Sequence, residues 1–190
     1  FSLGGDMPMP PLPPVFTADL RWKELSIDGC FASFDGTTSG LSPTDGQSLM
    51  FDVSGDNSRS IILNEPLQFT TLYLMNPLGH DYFFANHGTT GTGQLIKSMR
   101  GMTQFIGDLK HTGPTIISEG ELRVSGTISS PVELRARGTL SGDVILQDTI
   151  TFEGALNYEG CRLEPYGTIT SKKSMVLPGD VYIEVFTNNL

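Results

Sequence analysis

The chain has 190 residues, long enough to bury a core of useful size and short enough to favour one domain. Hydrophobic residues make up 38% and charged residues 17%, beside 22 glycines and 12 prolines, a mixture that favours short strands and turns over helices. The net charge is −9 and no basic patch stands out, which argues against a nucleic-acid partner; no apolar run reaches the ~18 residues of a membrane-crossing helix, so no insertion by that route is expected.

The chain opens on Phe1, and the expectation is a processed or excised segment. Met7 to Pro14 (MPMPPLPP) holds five prolines in eight residues. Proline fixes φ and removes donors, so residues 1–16 read as an extended strap or stiff linker in preference to a ligand for a proline-reading groove. Thr17 to Leu25 (TADLRWKEL) is expected to make one or two helical turns and carries the single tryptophan, Trp22. Asp28-Gly29, Asp35-Gly36 and Asp45-Gly46 mark tight turns between short strands, and Gly40 in TTSGLSPT reads as an ordinary loop glycine. From Ser48 the runs SLMFDV, SIIL, LQFTTLYLM and DYFFA read as strands, broken by SGDN, NEP and NPLGH. Three basic and ten acidic residues precede Gly93, against nine and eleven from there on. The first half should therefore repel polyanions unless a cation bridges them.

Gly93 to Leu122 (GQLIKSMRGMTQFIGDLKHTGPTIISEGEL) is the most patterned stretch. Read in twos, it puts Leu95, Lys97, Met99, Gly101, Thr103, Phe105 and Gly107 on one side, and glycine recurs at Gly113 and Gly120. Alternation suits half-buried strands, and the glycines suit corners. The stretch resembles the autotransporter-associated β-strand repeat, also called the passenger-associated transport repeat. Leu95, Lys97, Gly101, Phe105, Gly107, Gly113, Thr115, Ile117, Gly120 and Leu122 fall on that family's pattern, while Met99 replaces a usual glycine, Thr103 a leucine and His111 a tyrosine. The preceding segment, with Trp22, the Asp-Gly turns and Tyr82-Phe83-Phe84, is similar to the family's lead-in. The resemblance implies a secreted or cell-surface protein, periplasmic or outer-membrane associated. In that family such repeats assist folding and secretion of a passenger, or sit beside protease or polysaccharide-degrading domains. It also implies that neighbouring domains of the same polypeptide are the partners.

After Leu122, glycines at 120, 138, 154 and 167 each precede a β-favouring pair: Glu121-Leu122, Thr139-Leu140, Ala155-Leu156 and Thr168-Ile169. Irregular periods near twenty residues suit a solenoid in which each coil covers the apolar face of the one before. The expected fold is thus all-β, a right-handed parallel β-helix (β-solenoid) with a Pro-rich N-terminal strap and a capping segment. Residues 17–190 form one domain, with lead-in and capping coils over 17–92 and repeat-containing coils over 93–190. Leu122, Val124, Val132, Leu134, Leu140, Val144, Leu146, Ile150 and Phe152 are the expected core. Val181 to Phe186 is an apolar strand with nothing polar to cover it, which leads us to expect further chain or another domain there.

Candidate chemistry is sparse. His80 and His87 lie seven apart with no acid at a metalloprotease spacing, and neither a G-x-S-x-G elbow nor a phosphate loop occurs. Parallel β-helices include pectate-lyase-like enzymes that neutralise a uronate with calcium and abstract a proton with arginine or lysine. Arg123, Arg135 and Arg137, and the group Asp108, Lys110 and His111, are the residue types such an enzyme would use. Charges alternating along a strand read more simply as a solvated face. The Asp-Gly pairs follow neither the EF-hand nor the nonapeptide calcium spacing, and read as turns. Trp22, Tyr73, Tyr82, Phe83, Tyr158, Tyr166 and Tyr182 are the rings that a glycan platform would draw on, although core or capping places suit most of them. Cys30 and Cys161 read as two buried thiols, with a single disulfide as the alternative. No catalytic, cofactor or metal residue is assigned, and no cofactor is expected. The reading is a non-catalytic accessory or structural module, with a glycan-binding domain as the first alternative and a small polysaccharide lyase as the second.

Overall fold

The computed structural model describes residues 16–23, 30–53, 60–135, 137–153, 162–164 and 169–171, with the backbone alone at 153, 162–164 and 169–171. The Pro-rich strap, Cys161, Tyr158, Tyr166, Tyr182, Gly154, Gly167 and the Val181–Phe186 strand lie outside the described residues. Within them there is no helix.

The chain first makes an antiparallel meander: β1 (Leu20–Trp22), β2 (Phe31–Ser33) and β3 (Ser39–Leu41). The helical turns expected around Trp22 are therefore replaced by a strand. Leu20 and Trp22 alternate inward, and Trp22 is fully buried, its indole stacked 5.6 Å from the Phe51 ring, so burial of the ring outweighs local helix propensity.

Coiling starts at Ser48. The first coil holds β4 (Ser48–Phe51), β5 (Ser60–Ile62) and β6 (Leu67–Gln68), and the second β7 (Thr71–Met75), β8 (Tyr82–Ala85) and β9 (Thr89–Thr90). The third holds β10 (Gln94–Ser98) and β11 (Met102–Ile106); the fourth β12 (Thr115–Ile117) and β13 (Gly120–Ile128); the fifth β14 (Val132–Arg135) and β15 (Gly138–Leu146). β16 (Ile150–Glu153), β17 (Arg162–Glu164) and β18 (Ile169–Ser171) belong to the sixth. Strands stack in parallel on three faces. The first face runs β1, β4, β7, β10, β12, β14, β16, and the second β5, β8, β11, β13, β15, β17. The third passes from β6 and β9 through Leu109 to Ile128 at the end of β13. The structure is a β-solenoid of about five turns, with the cap meander extending its first face.

Register gives the period. Leu49 pairs with Leu72, Leu72 with Leu95, Leu95 with Thr115, Thr115 with Val132 and Val132 with Ile150, so successive coils take 23, 23, 20, 17 and 18 residues. The shortening happens largely at one corner. Between the first and second faces the chain spends six residues in the second coil (76–81), three in the third (99–101) and two in the fourth (118–119). The expected glycine ladder holds for its first step, where Gly120 pairs with Gly138. It fails at the next, because Leu140 pairs with Leu163 and not with Leu156. The register of the second face thus departs from the glycine spacing after Gly138.

Inward side chains form columns. On the first face Leu20, Leu49, Leu72 and Leu95 align, and Phe51 and Leu74 lead to Ile117 and Leu134. On the second, Phe84 and Phe105 stack with centroids 4.5 Å apart and planes 8° from parallel. Of the expected core, eight residues are buried and Phe152 is partly buried against them. Such columns give each coil the apolar partner it lacks alone, and the parallel ladders satisfy the strand backbones.

Two motif glycines show why the pattern needs them. At Gly120 φ is +76°, and a Cβ there would sit 2.2 Å from the Met99 carbonyl oxygen. At Gly113 φ is not in the left-handed region, yet a Cβ would sit 2.5 Å from the Gly93 carbonyl oxygen of the coil below. One is required by conformation and approach together, the other by approach alone.

Candidate functional site

Among the described residues, the charged groups that a β-helical lyase would draw on do not come together. Arg123 leaves the second face and lies 2.7 Å from Glu121 on its own strand; Arg135 leaves the first face and lies 2.7 Å from Glu133. Residues two apart share a face of a strand, so each arginine is neutralised locally. Arg137 stands exposed at a corner with φ +72°. The three arginines thus point along separate faces instead of converging on a cleft.

The group Asp108, Lys110 and His111 is split. Asp108 and Lys110 pair on the outside at 3.1 Å, while His111 turns into the column and is fully buried. Asp108 also accepts the Thr127 N–H at 2.9 Å, and this bond, ahead of the lysine beside it, holds its carboxyl below the usual range. His80 is exposed and His87 half-buried. Among the described residues no three His, Cys, Asp or Glu side chains gather as metal ligands would.

The expected aromatic platform is mostly interior. Trp22 and Tyr82 are buried, the Tyr82 hydroxyl donating to the Asp52 carbonyl, and Tyr73 is half-buried under the Phe16 ring at 5.6 Å. Phe83 is the exposed large aromatic among the described residues, at 37%, with Ile62 and Ile106 also exposed on the same outer face. Cys30 is half-buried.

The unusual chemistry is inside. Lys97 occupies an inward column position between Leu74 and Ile117 and is fully buried. Its three ammonium protons match three carbonyl oxygens: Met99 at 2.7 Å, Ser98 at 3.0 Å and, from the next coil, Glu119 at 3.4 Å. Met99 adopts φ +64° at that corner, and the missing Cβ of Gly120 leaves room for the ammonium. Burial pushes the amine down to about 7, partly opposed by the carboxylates of Glu119, Asp81 and Glu121. The alternation of the motif put Lys97 on the same side as Leu95 and Phe105; that its charge would end on corner carbonyls was not written in any spacing.

A second polar cluster surrounds His111. Its Nδ1 lies 2.6 Å from Thr89 Oγ1, and its Nε2 lies 2.9 Å from Thr115 Oγ1 and 3.3 Å from Ser130 Oγ, which themselves are 2.7 Å apart. All four residues are buried. Burial pushes the imidazole down to about 4. A third site is Asn76, fully buried at the six-residue corner between β7 and β8, whose Nδ2 donates to the carbonyls of His80 and Met102 and whose Oδ1 accepts from Thr103 Oγ1. These groups can fasten coils to one another. All three side chains are buried.

No protein-family model, curated protein or solved structure matches this chain.

Proposed function

We propose that this chain is a non-catalytic β-helical module of a larger secreted or cell-surface bacterial protein, of the autotransporter-associated repeat type. Its role is that of a spacer, stacking scaffold or accessory domain for an activity carried by neighbouring domains. One observation carries the reading: the two ionisable side chains most perturbed by burial, Lys97 and His111, spend their hydrogen bonds on the scaffold, Lys97 on its own corner and the next coil and His111 on the coils on either side. Perturbed groups at an active site face a cleft; these face their own scaffold. The motif residues of Gly93 to Leu122 support the family reading, since Leu95, Lys97, Phe105 and Leu122 all point inward, stacked on Leu72, Leu74, Phe84 and Thr103 of the coils before them.

A spacer is defined by length, so it should tolerate loss of a whole coil. Deleting Val132 to Thr149 removes the 18 residues between paired positions Val132 and Ile150. The shortened chain is expected to keep its strand-dominated circular dichroism and a cooperative melt. In parallel, the intact chain is incubated with polygalacturonan and rhamnogalacturonan while absorbance from unsaturated uronate is followed. Product absorbance would overturn the non-catalytic reading, and collapse of the coil-deleted chain would overturn the spacer role.

A further inference from the structure

We propose that the His111 cluster is an acid-sensitive latch, which ties the middle coils together while the ring is neutral and releases them when it is protonated. The four members come from successive levels of the solenoid. Thr89 lies on β9 of the second coil, His111 follows Leu109 in the third, Thr115 begins β12 of the fourth, and Ser130 closes that coil after β13. The ring therefore bridges three coils through side chains, beside backbone bonds in the same place: Lys110 N–H to Thr89 O at 2.8 Å, Leu109 N–H to Thr127 O at 2.7 Å and Ser129 N–H to Leu109 O at 2.9 Å.

A proton count shows why the cluster is sensitive. A neutral imidazole offers one N–H and one lone pair. With Nδ1 protonated, the ring donates to Thr89 and accepts from the Thr115 or Ser130 hydroxyl; with Nε2 protonated, the roles reverse. In either tautomer one hydroxyl points its proton at the ring. An imidazolium carries two N–H groups, so that hydroxyl must turn away within a cluster whose four members are all buried. The new charge meets the Phe69 ring, 5.6 Å away between centroids. β9 presents Thr89 and Thr90, β12 presents Thr115, and the next corner presents Ser130. The titratable groups on adjoining stretches are His87, Asp108 and Lys110, and the last two are paired with each other outside. Desolvation is accordingly the force that holds the ring neutral down to about 4.

The sign follows from linkage. An unfolded chain takes up the imidazole proton near 6.5 and the folded chain only near 4, so the stabilisation is whole above pH 6.5 and is lost as pH falls toward 4. The test is amide hydrogen exchange on the intact chain from about pH 7.5 to about pH 4.5, corrected for intrinsic rates, beside an NMR titration of its histidine rings. Protection at Leu109, Lys110 and Ser129 should fall several-fold more than protection in β4 and β7 as pH drops below about 6.5, where the opened segment takes up the proton, while the buried ring itself stays neutral until near 4. H111Q, an uncharged donor and acceptor, identifies that ring by loss of its signal and should flatten the pH response of those three amides. A ring that protonates in the ordinary histidine range, or exchange that falls equally in all coils, would overturn the latch. Should H111Q fail to fold, the ring titration and the local exchange of the unaltered chain decide the matter alone.

Discussion

Three glycines separate two physical costs that sequence patterns confuse. Gly40 lies in β3 with φ +73° and has nothing within 4 Å of where a Cβ would be, so alanine there meets backbone strain alone. It was expected as an unconstrained loop glycine; its left-handed φ makes it a measure of conformational strain, about 1 kcal/mol. Gly113 has an ordinary φ but would place a Cβ 2.5 Å from the Gly93 oxygen, 0.5 Å inside the 3.0 Å that Cβ contacts keep. Overpacking of this kind costs about 1–3 kcal/mol, less about 0.4–1 recovered by stiffening the unfolded chain. Gly120 combines both: φ +76°, and a Cβ 2.2 Å from the Met99 oxygen, 0.8 Å inside the limit and 2.8 Å from Lys97 Nζ. Gly120→Ala should therefore cost about 2–4 kcal/mol, a large share of the ~5–15 kcal/mol that holds a domain. Urea denaturation of the three variants reads this directly, with midpoints compared at unchanged m. The expected order of cost is Gly120, then Gly113, then Gly40. If Gly120→Ala costs no more than Gly40→Ala, the coils do not approach as closely as the register requires, and the reasoning fails.

Leu134→Ala should cost about 2–5 kcal/mol, because Leu134 is fully buried in the column between Ile117 and Phe152; a urea midpoint shift worth less than about 0.5 kcal/mol would place it outside the core. Burial lowers the Lys97 ammonium from 10.5 to about 7 on folding, so its contribution is whole above pH 10.5 and is lost as pH falls through 7. The denaturation midpoint of the chain should rise from about pH 7 to about pH 10, and a Lys97→Met variant with the same rise would refute this assignment. Asp19 accepts from both the N–H (2.6 Å) and the hydroxyl (2.7 Å) of Ser48, clasping the cap to the first coil. Asp19→Ala should cost about 1 kcal/mol, this being an exposed clasp, and should speed amide exchange in β1 before any other strand; unchanged exchange there would remove the clasp from the account.

The fold was legible where period two ran on without interruption. Leu95, Thr103 and Phe105 point inward as their alternation requires, and Gly120 pairs with Gly138 at the spacing written in the chain. Legibility failed where the partner of a segment lay far away. Nothing local in TADLRWKEL announces that Trp22 stacks on Phe51, and the irregular glycine spacing past Gly138 was a poorer guide than the backbone pairing of Leu140 with Leu163. The split of Asp108 and Lys110 from His111 had a usable signal. Leu109 is inward and Lys110 outward, so the same parity sends His111 inward, away from the two charges that are its neighbours in sequence.

The polar interior follows from the geometry of corners. Strands on the faces satisfy one another, but a corner turns its carbonyls out of the ladder, and those facing inward meet no water. Lys97 answers this need between the first and second faces by collecting the oxygens of Ser98, Met99 and Glu119; Asn76 answers it in the second coil through those of His80 and Met102. In both cases one acceptor belongs to the side chain's own corner and another to the coil that follows. A polar group in the column thus does what an apolar one cannot, fixing the offset between successive corners while hydrophobic columns fix only their stacking. Among the described residues, the six-residue corner 76–81 and the left-handed Met99 corner are so equipped. Lys97 and Asn76 thereby act as fasteners of an irregular solenoid.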